Sequence, residues 1–445
     1  VRSVGVGLLG AGTVGAALGE LLVGHGPTIA ERSGVELRLR RVAVRRTAQP
    51  RGDAIPAELI VGDPFEVVDD PDVDVVVELM GGIDPAEALL RRALGLGKPV
   101  VTANKALLAH SGPELFALAA DSGVELLFEA AVGGAVPLVR PLRETLAGER
   151  IRRVVGIVNG TTNFVLGEMA ERGLSLEEAL EEARRRGYAE ADPAADLDGD
   201  DAAAKAAILA GLAFGVDVRG HEVEREGIGG LIPTDLAWAR RAGYEVKLLA
   251  VLEQPDRRDD RLAVRVAPML VPRAHPLASV REAHNAVFIE GDAVGEIMLY
   301  GPGAGGAPTA AAVLGDLIDA AQNLAGHVAS RLGPLRRVAL VGPAERQARH
   351  YLRVEVTDRP GVLAQVASVF GDNGVSIQSM EQEGLGDRAR LVFLTHRVGE
   401  ANLVDTAVAL SKLDAVRRVG SLLPLFETET HDSSSPLSAD HRIGR

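Results

Sequence analysis

Apolar residues follow two rhythms along this chain. Short apolar runs bounded by turn residues predict strands buried on both faces. Longer stretches with apolar positions every three or four residues predict amphipathic helices. The first half alternates the two. Strands are expected over 4–9, 35–44, 73–78, 100–101 and 124–128. Helices are expected from the turn after residue 9 to about residue 23, over 83–94 and over 113–122. Strands alternating with helices predict a parallel α/β sheet.

The rhythm changes after residue 129. A helix is expected near 137–146, a strand over 152–158, and helices over about 163–172 and 176–186. An acidic loop then leads into a helix that is apolar on every face. Stretches 262–270 and 286–289 read as β, 301–306 as a second glycine-rich loop, and 309–325 as a helix. Residues 334–347 form a connector. From 351 a compact unit is expected: strand, helix through 370, turn at Asn373-Gly374, strand, hairpin and helix. The polar, Ser-rich residues 427–445 are expected to be disordered.

The all-apolar helix carries one anomaly. From 202 to 216 its only charged residue is Lys205, and Asp201 lies one turn earlier on the same face. A buried ammonium is costly unless paired. The chain holds 48 Lys and Arg, yet only Lys98, Lys105, Lys205, Lys247 and Lys412 are lysines. Where charge alone is needed the chain uses Arg, so a retained Lys suggests an amine that can lose its proton. An ordinary helical ion pair, or a lysine that snorkels to water, remains open at this stage.

Composition narrows the function classes. The net charge is −14 and aromatics are 3%, with no basic block, which argues against nucleic-acid binding. No uncharged apolar run reaches the roughly 18 residues that span a bilayer. With a strand expected at the very start, the reading is a cytoplasmic protein without a signal peptide or membrane contact. There is no Cys, which excludes disulfides, thiolate metal sites and Cys nucleophiles.

Gly10, Gly12 and Gly15 form a G-x-G-x-x-G pattern after a strand and before a helix. That context reads as a dinucleotide site, with Thr13 and Val14 offering helix N-terminal N–H groups to the phosphates. The second strand ends in Arg45-Arg46, with no acid until Asp53. An acid there would bind a ribose 2′-hydroxyl, whereas Arg45 suits a 2′-phosphate, so NADP is expected over NAD. Solvated strand-end charges and an enzyme that takes both cofactors stay open.

Gly10–Gly15, then 101–105 (VTANK), 128–134 (FEAAVGG), 159–163 (NGTTN), 187–193 (GYAEADP) and Asp201-x-x-x-Lys205 occur in that order. This series, over about residues 1–330, resembles homoserine dehydrogenase. The resemblance implies interconversion of L-homoserine and L-aspartate 4-semialdehyde with a nicotinamide cofactor. It implies that Lys205 moves the proton and that Asp201 is its carboxylate partner; Lys105 is the second lysine of the site, expected to hold substrate and cofactor, and the division of labour between the two lysines stays open. Glu190 matches the family residue for the substrate ammonium, and Asp196 a frequent substrate contact. Thr102, Gly303 and Gly305 match cofactor positions. Glu129, Val132, Gly134 and Val136 match a loop that binds a monovalent cation such as sodium, mostly through backbone oxygens; a metal-free turn stays open.

Asp358-Arg359-Pro360-Gly361-Val362-Leu363, with Asn373-Gly374-Val375-Ser376-Ile377 after it, resembles an ACT domain. Such modules pair side by side and bind amino acids, so threonine is the expected effector and a homodimer or homotetramer the expected assembly. A purely structural module stays open.

The expected fold class is α/β. It comprises a Rossmann-type domain (1–130), an α+β catalytic and dimerisation domain (131–308) and a helix returning to the Rossmann domain (309–333). A linker (334–349), a ferredoxin-like ACT domain (350–426) and a disordered tail (427–445) complete it. Aspartate-semialdehyde dehydrogenase shares a substrate but needs a Cys nucleophile. A non-catalytic dinucleotide and amino-acid sensor would be expected to lack the two site lysines, and Lys105 and Lys205 are both present.

Overall fold

A computed structural model describes residues 1–49, 51–255, 260–326, 335–384 and 386–427. The expected tail from 428, the end of the 309–333 helix from 327 and the first residue of the 334–349 linker lie outside the described residues. The chain divides into two compact units, Val1–Pro268 with Arg273–Gly342, and Met269–Pro272 with the chain from Pro343. No helix among the described residues is long and apolar enough to cross a membrane.

The first unit opens with six parallel strands: β1 (Arg2–Leu9), β2 (Val35–Ala43), β3 (Ile60–Val61), β4 (Val75–Glu78), β5 (Val100–Thr102) and β6 (Leu126–Leu127). Their order is β3-β2-β1-β4-β5-β6, the doubly wound arrangement expected from the alternating pattern. Helices α1 (Thr13–Ser33), α2 (Pro64–Asp69), α3 (Ala86–Gly95) and α4 (Lys105–Asp121) connect them.

Two of these helices differ from expectation. α1 continues ten residues past 23, through Pro27, to a left-handed Gly34 whose N–H bonds Ala30 O. Its buried Leu18, Leu22 and Ile29 pack with Val313, Leu317 and Ala321 of a later helix, and that packing outweighs the local breakers. α4 begins at Lys105 rather than at 113, because Asn104 accepts the Leu107 N–H as a cap. A kink at Ser111 precedes Pro113.

A mixed sheet follows, in the order β12-β11-β7-β9-β10-β13 with β8 beside β10. Its strands are β7 (Ile151–Ile157), β8 (Glu224–Arg225), β9 (Tyr244–Glu253), β10 (Arg261–Pro272), β11 (His284–Gly291), β12 (Gly295–Pro302) and β13 (Ala339–Leu340). α5 (Gly160–Arg172), α6 (Leu176–Arg185), α7 (Ala194–Leu197), α8 (Asp200–Phe214) and α9 (Pro233–Arg241) belong to this part. β9, β12 and α9 were not expected. The helix expected near 137–146 is a short π-helical turn, Pro141–Thr145.

The long helix α10 (Gly306–Gly326) returns to the parallel sheet and joins its core. A buried acid pair anchors this return. The Glu129 carboxylate accepts the N–H groups of Leu138, Val139 and Arg140. Asp316 of α10 accepts the Glu129 N–H at 2.7 Å, and Arg140 reaches Asp319 at 2.9 Å.

The second unit has four antiparallel strands ordered β16-β17-β15-β19. They are β15 (His350–Thr357), β16 (Ile377–Gly384), β17 (Arg388–Thr395) and β19 (Val416–Pro424), with a small β14 (Gln347–Ala348) and β18 (Val398–Gly399) pair. α11 (Val362–Asp372) and α12 (Glu400–Ser411) cover one face, placing Val366, Phe370, Leu403 and Leu410 against Leu352, Leu391 and Phe393. This is the ferredoxin-like βαββαβ order.

Burial pushes the Asp316 carboxyl up to about 7, with the Glu129 charge adding to it and the Glu129 N–H opposing. A carboxyl raised in the folded state stabilises fully below its ordinary value and loses that contribution as pH rises toward 7. At about 1.4 kcal/mol per unit, the loss between pH 4 and 7 is on the order of 4 kcal/mol. Asp316→Asn should flatten this part of the stability curve, read as urea midpoints across that range; parallel curves for both proteins would refute it.

Candidate active site

The glycine-rich loop lies between β1 and α1. Gly10 has φ +97, and its N–H bonds Ala43 O at 3.0 Å. A Cβ on Gly15 would lie 2.3 Å from Gly10 O, so only glycine lets α1 start this close to the loop. At Gly12 a Cβ would meet nothing within 4 Å. The protein itself therefore gives no packing reason for glycine there, but a ligand lying on the backbone would. Gly12 provides no side-chain cap, so the N–H groups that open α1 at Thr13 and Val14 have no capping side chain. These features fit a dinucleotide pyrophosphate.

The start of α10 adjoins this cradle, since a Cβ on Gly306 would lie 2.9 Å from Thr13 Cγ2. Gly303 and Gly305 sit just before it, Gly305 at φ +122. Gly303 packs on Asn285 and against Gly134, and Ala135 donates to Pro302 O at 3.1 Å. The expected cofactor loop and the expected cation loop are thus in contact. Arg45 and Arg46 are exposed at the end of β2. Sequence reasoning missed Arg51, whose Nη1 donates to Ala11 O at 2.8 Å inside the glycine-rich loop. The arginine-rich run after the second strand was the available signal.

The acid–lysine pair assembles as its spacing implied. α8 starts after the left-handed Gly199. Lys205 Nζ lies 2.8 Å from Asp201 Oδ2 and donates to Val158 O at 2.6 Å. Lys105, the first residue of α4, pairs with the other Asp201 oxygen. Asn159 Nδ2 donates to Asp201 at 2.9 Å and to Asp196 at 2.7 Å. Its Oδ1 caps α5 through the Thr162 N–H. Thr161 Oγ1 donates to Tyr188 O at 2.7 Å and steadies the loop that carries Glu190.

The lysines differ in exposure. The Lys205 side chain is 10% exposed and that of Lys105 is 46%, so Lys205 forms the floor and Lys105 the mouth. Burial pushes the Asp201 carboxyl up, but the charges of Lys205 and then Lys105 outweigh it and hold the group well below the usual carboxylate range. Burial pulls the Lys105 ammonium down, and Asp201, Asp196 and Glu190 more than reverse this, leaving it raised. Glu190 and Asp196 therefore share the Lys105 environment.

Two expected site residues sit differently from a simple contact. Thr102 is fully buried, and its hydroxyl donates to Glu78, so it lies behind the site rather than facing it. The Glu129 carboxylate is occupied by three backbone N–H groups, which leaves backbone oxygens, with those of Val132, Gly134 and Val136, as the groups a cation would use.

Family models and relatives match the chain over most of its length. A family model described as "Homoserine dehydrogenase" matches residues 137–318. "Homoserine dehydrogenase, NAD binding domain" matches 10–129, and "ACT domain" matches 350–415. A homoserine dehydrogenase of Corynebacterium glutamicum is 44% identical over 426 residues, covering 95% of this chain and 96% of the relative. The crystal structure of a homoserine dehydrogenase from Thiobacillus denitrificans aligns with a TM-score of 0.89 at 39% identity, covering 96% of this chain and 99% of that one. A hyperthermophilic archaeal homoserine dehydrogenase in complex with NADPH aligns at 0.59 and 31% identity, covering 72% of this chain and 98% of that one.

Since Gly12 faces open space, Gly12→Ala should fold with an unchanged melting temperature yet lose dinucleotide affinity at least about tenfold, read by fluorescence titration of the reduced cofactor. Wild-type affinity in the variant would refute the assigned backbone contact.

Proposed function

The chain belongs to the homoserine dehydrogenase family, NAD(P)-dependent oxidoreductases, and from that premise we propose how its own residues run the reaction. The reaction interconverts L-homoserine and L-aspartate 4-semialdehyde. The bound nicotinamide dinucleotide supplies or takes the hydride. The chain must therefore bind substrate and cofactor together, and hold one proton and one cation at the reacting oxygen.

The observation that carries this reading is the single carboxylate shared by two lysines at the meeting of α4 and α8. In the reducing direction, the Lys205 ammonium gives a proton to the oxygen as it becomes an alkoxide; in the reverse direction its amine takes that proton back. Val158 O and Asp201 fix the Nζ position for this transfer. Lys105, at the mouth, holds substrate and cofactor and adds positive charge near the developing alkoxide. Glu190 and Asp196 pair with the substrate ammonium, a charge-assisted contact suited to carboxylates.

Gly10, Gly12, Thr13, Val14 and Gly15 hold the pyrophosphate, and the loop of Gly303 and Gly305 covers the nicotinamide end. Arg45, with no acid near it until Asp53, supports a preference for NADP. Backbone oxygens of Glu129, Val132, Gly134 and Val136 are assigned to a monovalent cation, sodium. The ACT domain supports feedback by threonine, and a cytoplasmic homodimer or homotetramer is the proposed form. The sensor alternative is disfavoured because both lysines are present and paired with Asp201.

Initial rates with L-homoserine and NADP⁺ or NAD⁺ in parallel test this reading. NADP⁺ should be reduced faster, and Lys205→Ala should lower kcat by about a thousandfold while cofactor affinity stays near wild type. A near-normal kcat would remove Lys205 from proton transfer, and equal rates would remove the cofactor preference.

A further inference from the structure

We propose that Glu78 is a positioning residue for Lys105, acting through Thr102 and Asn104; the proposal rests on the role given to Lys105 above. Glu78 ends β4 and is fully buried. Its Oε1 accepts the N–H groups of Met80 at 2.8 Å and Gly81 at 3.0 Å. Its Oε2 accepts the Thr102 hydroxyl at 2.6 Å. The Thr102 oxygen accepts the Asn104 N–H at 3.0 Å. Asn104 caps α4 through the Leu107 N–H at 3.1 Å, and its Nδ2 holds Gly82 O at 2.6 Å. Lys105 is the next residue and the first of the helix.

The donor and acceptor roles explain why an acid is buried here. The Asn104 N–H needs an acceptor, so the Thr102 hydroxyl must send its own hydrogen elsewhere. Glu78 Oε2 receives it. A carboxylate only accepts, so it satisfies two N–H groups and one hydroxyl together. A carboxamide would turn its NH₂ toward the hydroxyl and leave one hydrogen without a partner. The same anion folds the 79–82 turn against the glycine-rich loop, where a Cβ on Gly10 would lie 2.9 Å from Leu79 O. Glu78 thus ties the turn beside the glycine-rich loop to the first turn of the helix that presents Lys105.

Thr102→Val keeps the branched shape and the two N–H bonds to Glu78 but cuts the link to Asn104. A small misplacement of a site group is enough to slow turnover, so kcat on homoserine should fall about tenfold. Thr102→Ser, which keeps the hydroxyl, should restore it, and reduced-dinucleotide affinity should stay near wild type in both. In a Lys105→Ala background, Thr102→Val should cost no further kcat, because the relay then has nothing to place. If Thr102→Val does not fold, Glu78→Gln takes its place in the same cycle with the same expectation. A full-rate variant beside a slow Lys105→Ala enzyme would overturn the proposal alone, as would losses that multiply in the double variant. A full-rate Lys105→Ala enzyme would overturn the role of Lys105 and the proposal with it.

Discussion

One buried carboxylate, Asp201, holds two ammonium groups that would otherwise repel each other. Either lysine alone would face an unfavourable burial. Asp201 is 5% exposed at its side chain and stays ionised far below neutral pH, so its charge is constant where the enzyme works. Asn159 adds a neutral hydrogen bond that fixes the carboxylate without cancelling its charge. Much of the surrounding fold serves this pairing. Left-handed Gly199 lets α8 begin where Asp201 can turn inward, and the cap at Asn104 starts α4 at Lys105.

The parts of the site that were legible in the sequence are local. Asp201 and Lys205 are one helical turn apart, and the three glycines fall within six residues, so spacing alone places each group. The contact between Lys105 and Asp201 crosses 96 residues of chain, and only the family resemblance pointed to it. The role of Glu78 was not legible, because an acid ending an apolar strand looks like a solvated strand end. Only the loop geometry shows three donors converging on it.

The scarcity of lysine proved a weaker guide than it looked. Lys98 donates to the carbonyls of Val68 and Asp70, a structural task. Lys247 lies buried in β9, a strand the pattern did not reveal, and donates to Asn163 Oδ1 at 2.8 Å and Val280 O. Burial, helped by the Arg281 charge, brings that ammonium down to about 7. A titratable buried amine therefore does not by itself mark a reacting one; Lys205, the proposed proton donor, differs from Lys247 in the carboxylate it shares with a second lysine.

The pH dependence of kcat for aspartate semialdehyde reduction, in wild type and Asp201→Asn, tests the shared-carboxylate account most directly. Reduction needs Lys105 charged beside the developing alkoxide, so the rate falls where that ammonium loses its proton. With the anion replaced by a neutral amide, Lys105 loses the partner that raises it, and the alkaline limb should move down by about one pH unit or more. A limb that stays in place, with the rate lowered by a constant factor, would mean that Asp201 orients Lys105 without setting its charge, which contradicts a shared carboxylate that holds both ammoniums.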